Sequence, residues 1–84
     1  MDEVLKKDIL KLIDENVSSF SKGQRLIARY IVENYDKAAY MTASALGSEV
    51  GVSESTVVRF ANEMGYDGYP SMQKRLQEMI LNKL

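Results

Sequence analysis

The 84-residue chain contains no cysteine and no histidine. Without thiols there is no disulfide framework, no thiolate nucleophile and no cysteine-based metal site. Without imidazoles, the commonest general base and the commonest metal ligand are missing too. No apolar run approaches the roughly 20 residues that a membrane-spanning helix needs. The opening stretch "MDEVLKKDIL" is acidic and amphipathic, unlike a secretory signal. A cytoplasmic protein with no membrane partner is the simplest expectation. Positive charge is not in excess: the net charge is −1, whereas nucleic-acid-binding domains are usually basic. That weighs against such a role in bulk, but a binding face can be locally neutral or basic on an acidic protein. The carboxylates are scattered along helix faces, with no constellation suited to acid–base or nucleophilic work. Neither enzymatic activity nor a cofactor is expected.

What is present is helical periodicity. Period-two alternation of β-branched residues is weak throughout, and there are no repeats, low-complexity tracts or linkers. So short a chain makes one domain, residues 1–84, with a modest core that a partner subunit would help to cover. Helix one is predicted from Asp2 to Glu15, with Leu5, Ile9, Leu12 and Ile13 at helical spacing. Val4 and Leu10 widen that stripe beyond one packing face, which suits either a homodimer contact or a core that wraps around the helix. Helix two follows "SSFSKGQ", where Ser21 and Gln24 have capping-box spacing. Its predicted stripe is Leu26, Ile27, Tyr30 and Ile31, extended by Val32 and Tyr35. Arg25 and Arg29 lie one turn apart on its polar side, as a solvated face or as phosphate contacts. "YDKAAYM" reads as a connector or one loose helical turn. Thr42 is the predicted cap of a third helix, Ala43 to Val50, and Ser53 that of a fourth, Glu54 to Met64. Gly65 suits a left-handed C-terminal position and "GYDGY" a tight turn. Pro70 is placed at the first position of a fifth helix, whose apolar face is Met72, Leu76, Met79, Ile80 and Leu84.

The third and fourth helices, with a glycine in the short turn between them, describe a helix-turn-helix. The turn needs a residue that tolerates positive φ, and Gly51 does so without steric cost. Close approach of the helices needs a small residue one turn earlier, and Gly47 is there. Leu46, Val50, Val52, Val57 and Phe60 fall where the angle between the helices must be sealed.

The outward face of the fourth helix follows from the same periodicity. With Val57 and Phe60 inward, Ser53, Glu54, Ser55, Thr56, Arg59 and Asn62 face outward or flank. Hydroxyls and free backbone amides at a helix N-terminus favour an anion. Arginine can donate two parallel hydrogen bonds to guanine, asparagine can pair with adenine, and Glu54 can accept from cytosine N4. Val58 could meet a thymine methyl. Thr42, at the start of the third helix, joins the candidate DNA-binding set. Each of these residues could equally be solvated helix surface, and for Arg59 the competing explanation is an ion pair with Glu63. A helix-turn-helix used only for protein–protein interaction or dimerisation is the alternative, but such a module would expose Leu or Phe where this chain has Ser, Thr, Arg and Asn.

"VSESTVVRFANEMGYDGY" resembles the signature of the N-terminal helix-turn-helix domain of RpiR-family bacterial transcription regulators. Val52, Ser53, Thr56, Val57, Arg59, Phe60, Gly65, Tyr66, Gly68 and Tyr69 stand at the matching positions, with Met64 where Leu is commoner. "FSKGQRLIARYIVEN" and "MTASALGSEVGVS" resemble the family's preceding segments. The resemblance implies an all-α, five-helix bundle containing a homeodomain-like helix-turn-helix. It implies sequence-specific binding to double-stranded operator DNA, and a C-terminal phosphosugar-binding SIS domain that this chain is too short to hold. From Tyr40 onward there are four basic and five acidic residues, so few phosphate contacts per subunit are expected.

Overall fold

A computed structural model describes residues 2–83, with side chains for residues 9–81. Five helices follow one another: α1 (Asp2–Asn16), α2 (Lys22–Ala38), α3 (Ala43–Val50), α4 (Glu54–Glu63) and α5 (Tyr69–Lys83). A 3-10 turn, Val17–Ser19, follows α1. There is no strand among the described residues, so α5 and not a β-hairpin comes after Gly65.

Three of the helices begin on side-chain caps that the sequence marks. Ser21 Oγ accepts the Gln24 amide at 3.3 Å while Gln24 Oε1 accepts the Ser21 amide at 2.9 Å, completing the capping box. Thr42 Oγ1 accepts from the Ala45 amide at 3.0 Å and Ser53 Oγ from the Thr56 amide at 3.2 Å. Each bond satisfies a donor that the first helical turn leaves without an intrahelical partner.

The core collects one face from every helix. Ile9 and Ile13 of α1 and Ile27 and Ile31 of α2 are buried with Leu46 of α3 and Val57 and Phe60 of α4. Met72, Leu76 and Met79 of α5 complete it, with Ile80 half-buried at its edge. Phe20, just before α2, meets Phe60 with ring centroids 5.3 Å apart at 56°, within the geometry aromatic pairs prefer. Leu10 and Leu12 of α1 are half-buried. Val4, Leu5 and Leu84 lie outside the residues with described side chains.

The structure departs from the sequence reading mainly in α2. Its inward residues are Gln24, Ile27, Ala28 and Ile31, spaced i, i+3, i+4, i+7. Leu26 lies off that stripe and is 40 % exposed, and Val32 is 47 % exposed. Gln24 takes a core position because both ends of its amide are bonded. Its carbonyl closes the capping box, and its Nε2 donates to Glu63 Oε1 of α4 at 2.8 Å. A buried polar group so satisfied carries little desolvation cost. Of the connector, residues 35–38 form a last helical turn of α2 after a kink at Asn34 (φ −141°, ψ 41°), and Ala39, Tyr40 and Met41 lead out of the helix. Smaller differences are that Val50 is half-buried, that α4 ends at Glu63 with Met64 as its cap, and that Tyr69 precedes Pro70 as the first residue of α5.

Candidate nucleic-acid interface

The corner between α3 and α4 is built from backbone contacts. Gly51 stands at φ 86°, a left-handed conformation that costs an L-residue with a side chain roughly 1–2 kcal/mol. The amides of Gly51 and Val52 both turn back to the Gly47 carbonyl, at 2.8 Å each, closing α3 as left-handed C-terminal motifs do. Gly47 is required for a different reason. A Cβ there would lie 2.7 Å from the Val52 carbonyl oxygen and 3.3 Å from Ser53 backbone atoms. At Gly51 an added Cβ would meet nothing within 4 Å, so its constraint is conformational.

The corner fixes how α4 presents its outward face. Ser53, Glu54, Ser55, Val58, Arg59 and Asn62 line one shallow, open depression there. Five of the sequence-derived candidates are thus brought together, and Val58, noted from the sequence for its apolar reach, joins them. Thr42 and Thr56 do not line the depression. Thr42 begins α3. Thr56 is half-buried, with its methyl turned towards Gly23 of α2, where an added Cβ would lie 3.5 Å from it.

The polar groups of this face differ in how far they are committed. Ser53 Oγ caps α4 and also lies 2.8 Å from Thr56 Oγ1 and 3.1 Å from Ser55 Oγ, so three hydroxyls form one cluster. Glu54 sits in the first turn of α4, where a carboxylate interacts favourably with the helix dipole. Asn62 Oδ1 accepts from the Gly68 amide at 3.0 Å and so braces the turn before α5. Its Nδ2 donor remains, so a two-bond contact with adenine would require the carbonyl to leave Gly68. Arg59 is exposed and forms no ion pair with any described residue. The carboxylate of Glu63, its sequence-suggested partner, receives Gln24 instead. That removes the main competing explanation for Arg59.

No group of residues suited to holding a metal ion occurs among the described residues, and no described helix is long and apolar enough to cross a membrane. Fold and site together define a helix-turn-helix domain with a polar outward helix, the arrangement of DNA-binding proteins. The chain matches the family described as "Helix-turn-helix domain, rpiR family" over residues 7–83, and it belongs to that family. It is similar to the HTH-type transcriptional regulator HexR of Pseudomonas aeruginosa, 31 % identical over 88 % of this chain and 26 % of that protein. HexR of Escherichia coli is likewise 31 % identical, over 89 % of this chain and 26 % of its own length. The uncharacterised HTH-type regulator YfhH of Escherichia coli is 30 % identical, over 84 % of this chain and 25 % of its length. The chain therefore spans about a quarter of the length of these relatives. No solved structure matches it.

Proposed function

We propose that this domain binds double-stranded operator DNA sequence-specifically, with α4 in the major groove. The observation that carries this reading is the exposed Arg59, without an ionic partner among the described residues, in a depression that it shares with Ser53, Glu54, Ser55, Val58 and Asn62. Arg59 is assigned to guanine O6 and N7, Glu54 to a cytosine amine and Val58 to a thymine methyl. Asn62 offers a donor. The Ser53, Ser55 and Thr56 hydroxyls, with Thr42 at the start of α3, are assigned to phosphate oxygens near helix N-termini.

The near-neutral charge implies few phosphate contacts per subunit, hence weak binding by one domain. A homodimer reading two half-sites about one helical turn apart would strengthen it. Half-buried Leu10 and Leu12, with exposed Val17 and Val32, supply apolar surface for such a pairing. A phosphosugar effector acting through a SIS domain of a longer regulator completes the proposal, in keeping with the fourfold greater length of the relatives.

The test is selection of duplexes from a random pool, followed by titration of the selected and scrambled sequences with Arg59→Ala. The expected result is a loss of about 1–3 kcal/mol on the selected duplex alone. Stability should change by no more than about 0.5 kcal/mol. Equal weakening on every sequence, with a smaller salt slope, would place Arg59 on phosphate and withdraw its base-reading role.

A further inference from the structure

The carbonyl groups at the C-terminal end of a helix have no partner within it. At the end of α2, those of Tyr35, Lys37 and Ala38 are taken locally by the amides of Ala39, Tyr40 and Met41, at 3.0, 3.1 and 3.2 Å. The carbonyls of Ala39 and Met41 are taken by α5 instead. Gln77 Nε2 donates to the Ala39 oxygen at 2.9 Å. The Met41 oxygen accepts twice, from the Tyr69 hydroxyl at 2.6 Å and from Gln73 Nε2 at 3.0 Å. Tyr69, Gln73 and Gln77 are spaced four residues apart and form one row along α5. Ala38 and Ala39, at the same end of α2, are fully buried. The Met41 sulfur is also held, by the Tyr30 hydroxyl at 3.7 Å. Met41 directly precedes Thr42, the cap of α3.

These amides are not needed to bury α5, which Met72, Leu76 and Met79 already anchor. What they add is direction, since a hydrogen bond specifies position where apolar contact does not. We propose that Tyr69, Gln73 and Gln77 are positioning residues that fix the start of α3 against α5, so that the pose of the α3–α4 pair depends on where α5 lies. Because Gly47 leaves no slack between α3 and α4, a shift at Thr42 is carried into the outward helix. Sliding α5 by one residue, about 1.5 Å, would misalign all three donors together. An event that moves α5 would therefore reach the DNA-facing helix through this row. The functional half of the proposal rests on the DNA-binding reading, whereas the structural half does not.

The experiment compares the 84-residue chain with its Tyr69→Phe/Gln73→Leu double variant, and with Met79→Ala as a variant destabilised elsewhere on α5. Amide exchange is followed at Leu46, whose N–H donates to the Thr42 carbonyl at 2.9 Å, and, as reference, at Met64, the cap of α4, whose N–H donates to the Phe60 carbonyl at 3.0 Å. Binding is titrated with a duplex selected by the unaltered chain, well below the melting temperature. In the double variant, exchange at Leu46 relative to Met64 is expected to rise about tenfold. Affinity per folded molecule is expected to fall about tenfold, within the range of ordinary coupling energies. Met79→Ala should leave both ratios unchanged. Unchanged relative exchange at Leu46 would overturn the proposal whatever the binding result, and so would faster exchange with full affinity. If the double variant does not fold, Gln73→Leu alone carries the same measurements. Should the unaltered chain select no duplex, the DNA-binding reading fails, and the exchange ratio still decides whether the row holds α3.

Discussion

At the α3–α4 corner two helices meet backbone to backbone, whereas the end of α1 and the Val17–Ser19 turn border α2 across a groove lined by side chains. The corner has room for no Cβ at Gly47 and turns on a left-handed Gly51. The groove is lined by Ile13, Val17, Ala28 and Val32, with Arg25, Arg29 and Glu33 at its rim. Val17 and Val32 there are each nearly half exposed. The corner is specified by geometry: the backbone contact at Gly47 and the left-handed turn at Gly51 leave little freedom in how α4 is set against α3. The α1–α2 side is specified by apolar area, which many arrangements can supply, and its exposed aliphatic groups remain available to a second copy.

Substitutions can break this comparison. Gly47→Ala should have the largest effect, about 3 kcal/mol of lost stability in denaturant unfolding, because both opposing groups are backbone and cannot swing aside. If it costs less than Gly51→Ala, the backbone-contact account of the corner is wrong. Gly51→Ala meets open space but keeps a positive φ, so about 1–2 kcal/mol is expected.

A pH series sharpens the comparison on the α5 side. Burial pushes the Tyr69 phenol up from 10.0 to about 12. The folded state thus holds this proton more tightly than the unfolded state does. The resulting stability is fully present below pH 10 and is lost as pH rises from 10 to 12. Thermal melts across that window should show the advantage of the unaltered chain over Tyr69→Phe shrinking. A constant gap would mean that the phenol is not sequestered.

Arg29→Ala should have the smallest effect. Its contact with Glu33 at 3.4 Å joins side chains 78 % and 58 % exposed, a pairing worth about 0.3–0.5 kcal/mol. Affinity for the selected duplex should not change. A fall in affinity with a reduced salt slope would show that the arginine face of α2 touches phosphate, and the contrast between the two sides would lose its functional meaning.

How much the sequence discloses follows the same division. The capping residues Ser21, Thr42 and Ser53, the bounds of α3 and the roles of Gly47 and Gly51 are all legible, because each depends on neighbours a few residues away. The stripe of α2 is misread because hydropathy favours Leu26 over Gln24 and Ala28, and the partner that lets Gln24 be buried, Glu63, is 39 residues distant. The kink at Asn34 carries no Pro or Gly to announce it. Nothing local marks the part played by Gln73 and Gln77, for a similar reason, since their acceptors are the carbonyls of Met41 and Ala39, 32 and 38 residues away. On α4, the outward residues are legible as a set, but the commitment of the Asn62 carbonyl to Gly68 is not.

The row along α5 also bears on the order in which the chain folds. The α3–α4 corner joins near neighbours in sequence, such as Gly47 and Val52, and closing so short a loop costs little entropy. The bonds from Tyr69, Gln73 and Gln77 join groups 28, 32 and 38 residues apart. They form only once the helices between have been brought round, which places them late on the folding route. Interactions that form late govern how fast a protein comes apart more than how fast it assembles. Weakening the row should therefore accelerate unfolding with little change in refolding, making the release of α5 from the α2–α3 junction the step that sets the lifetime of the folded state.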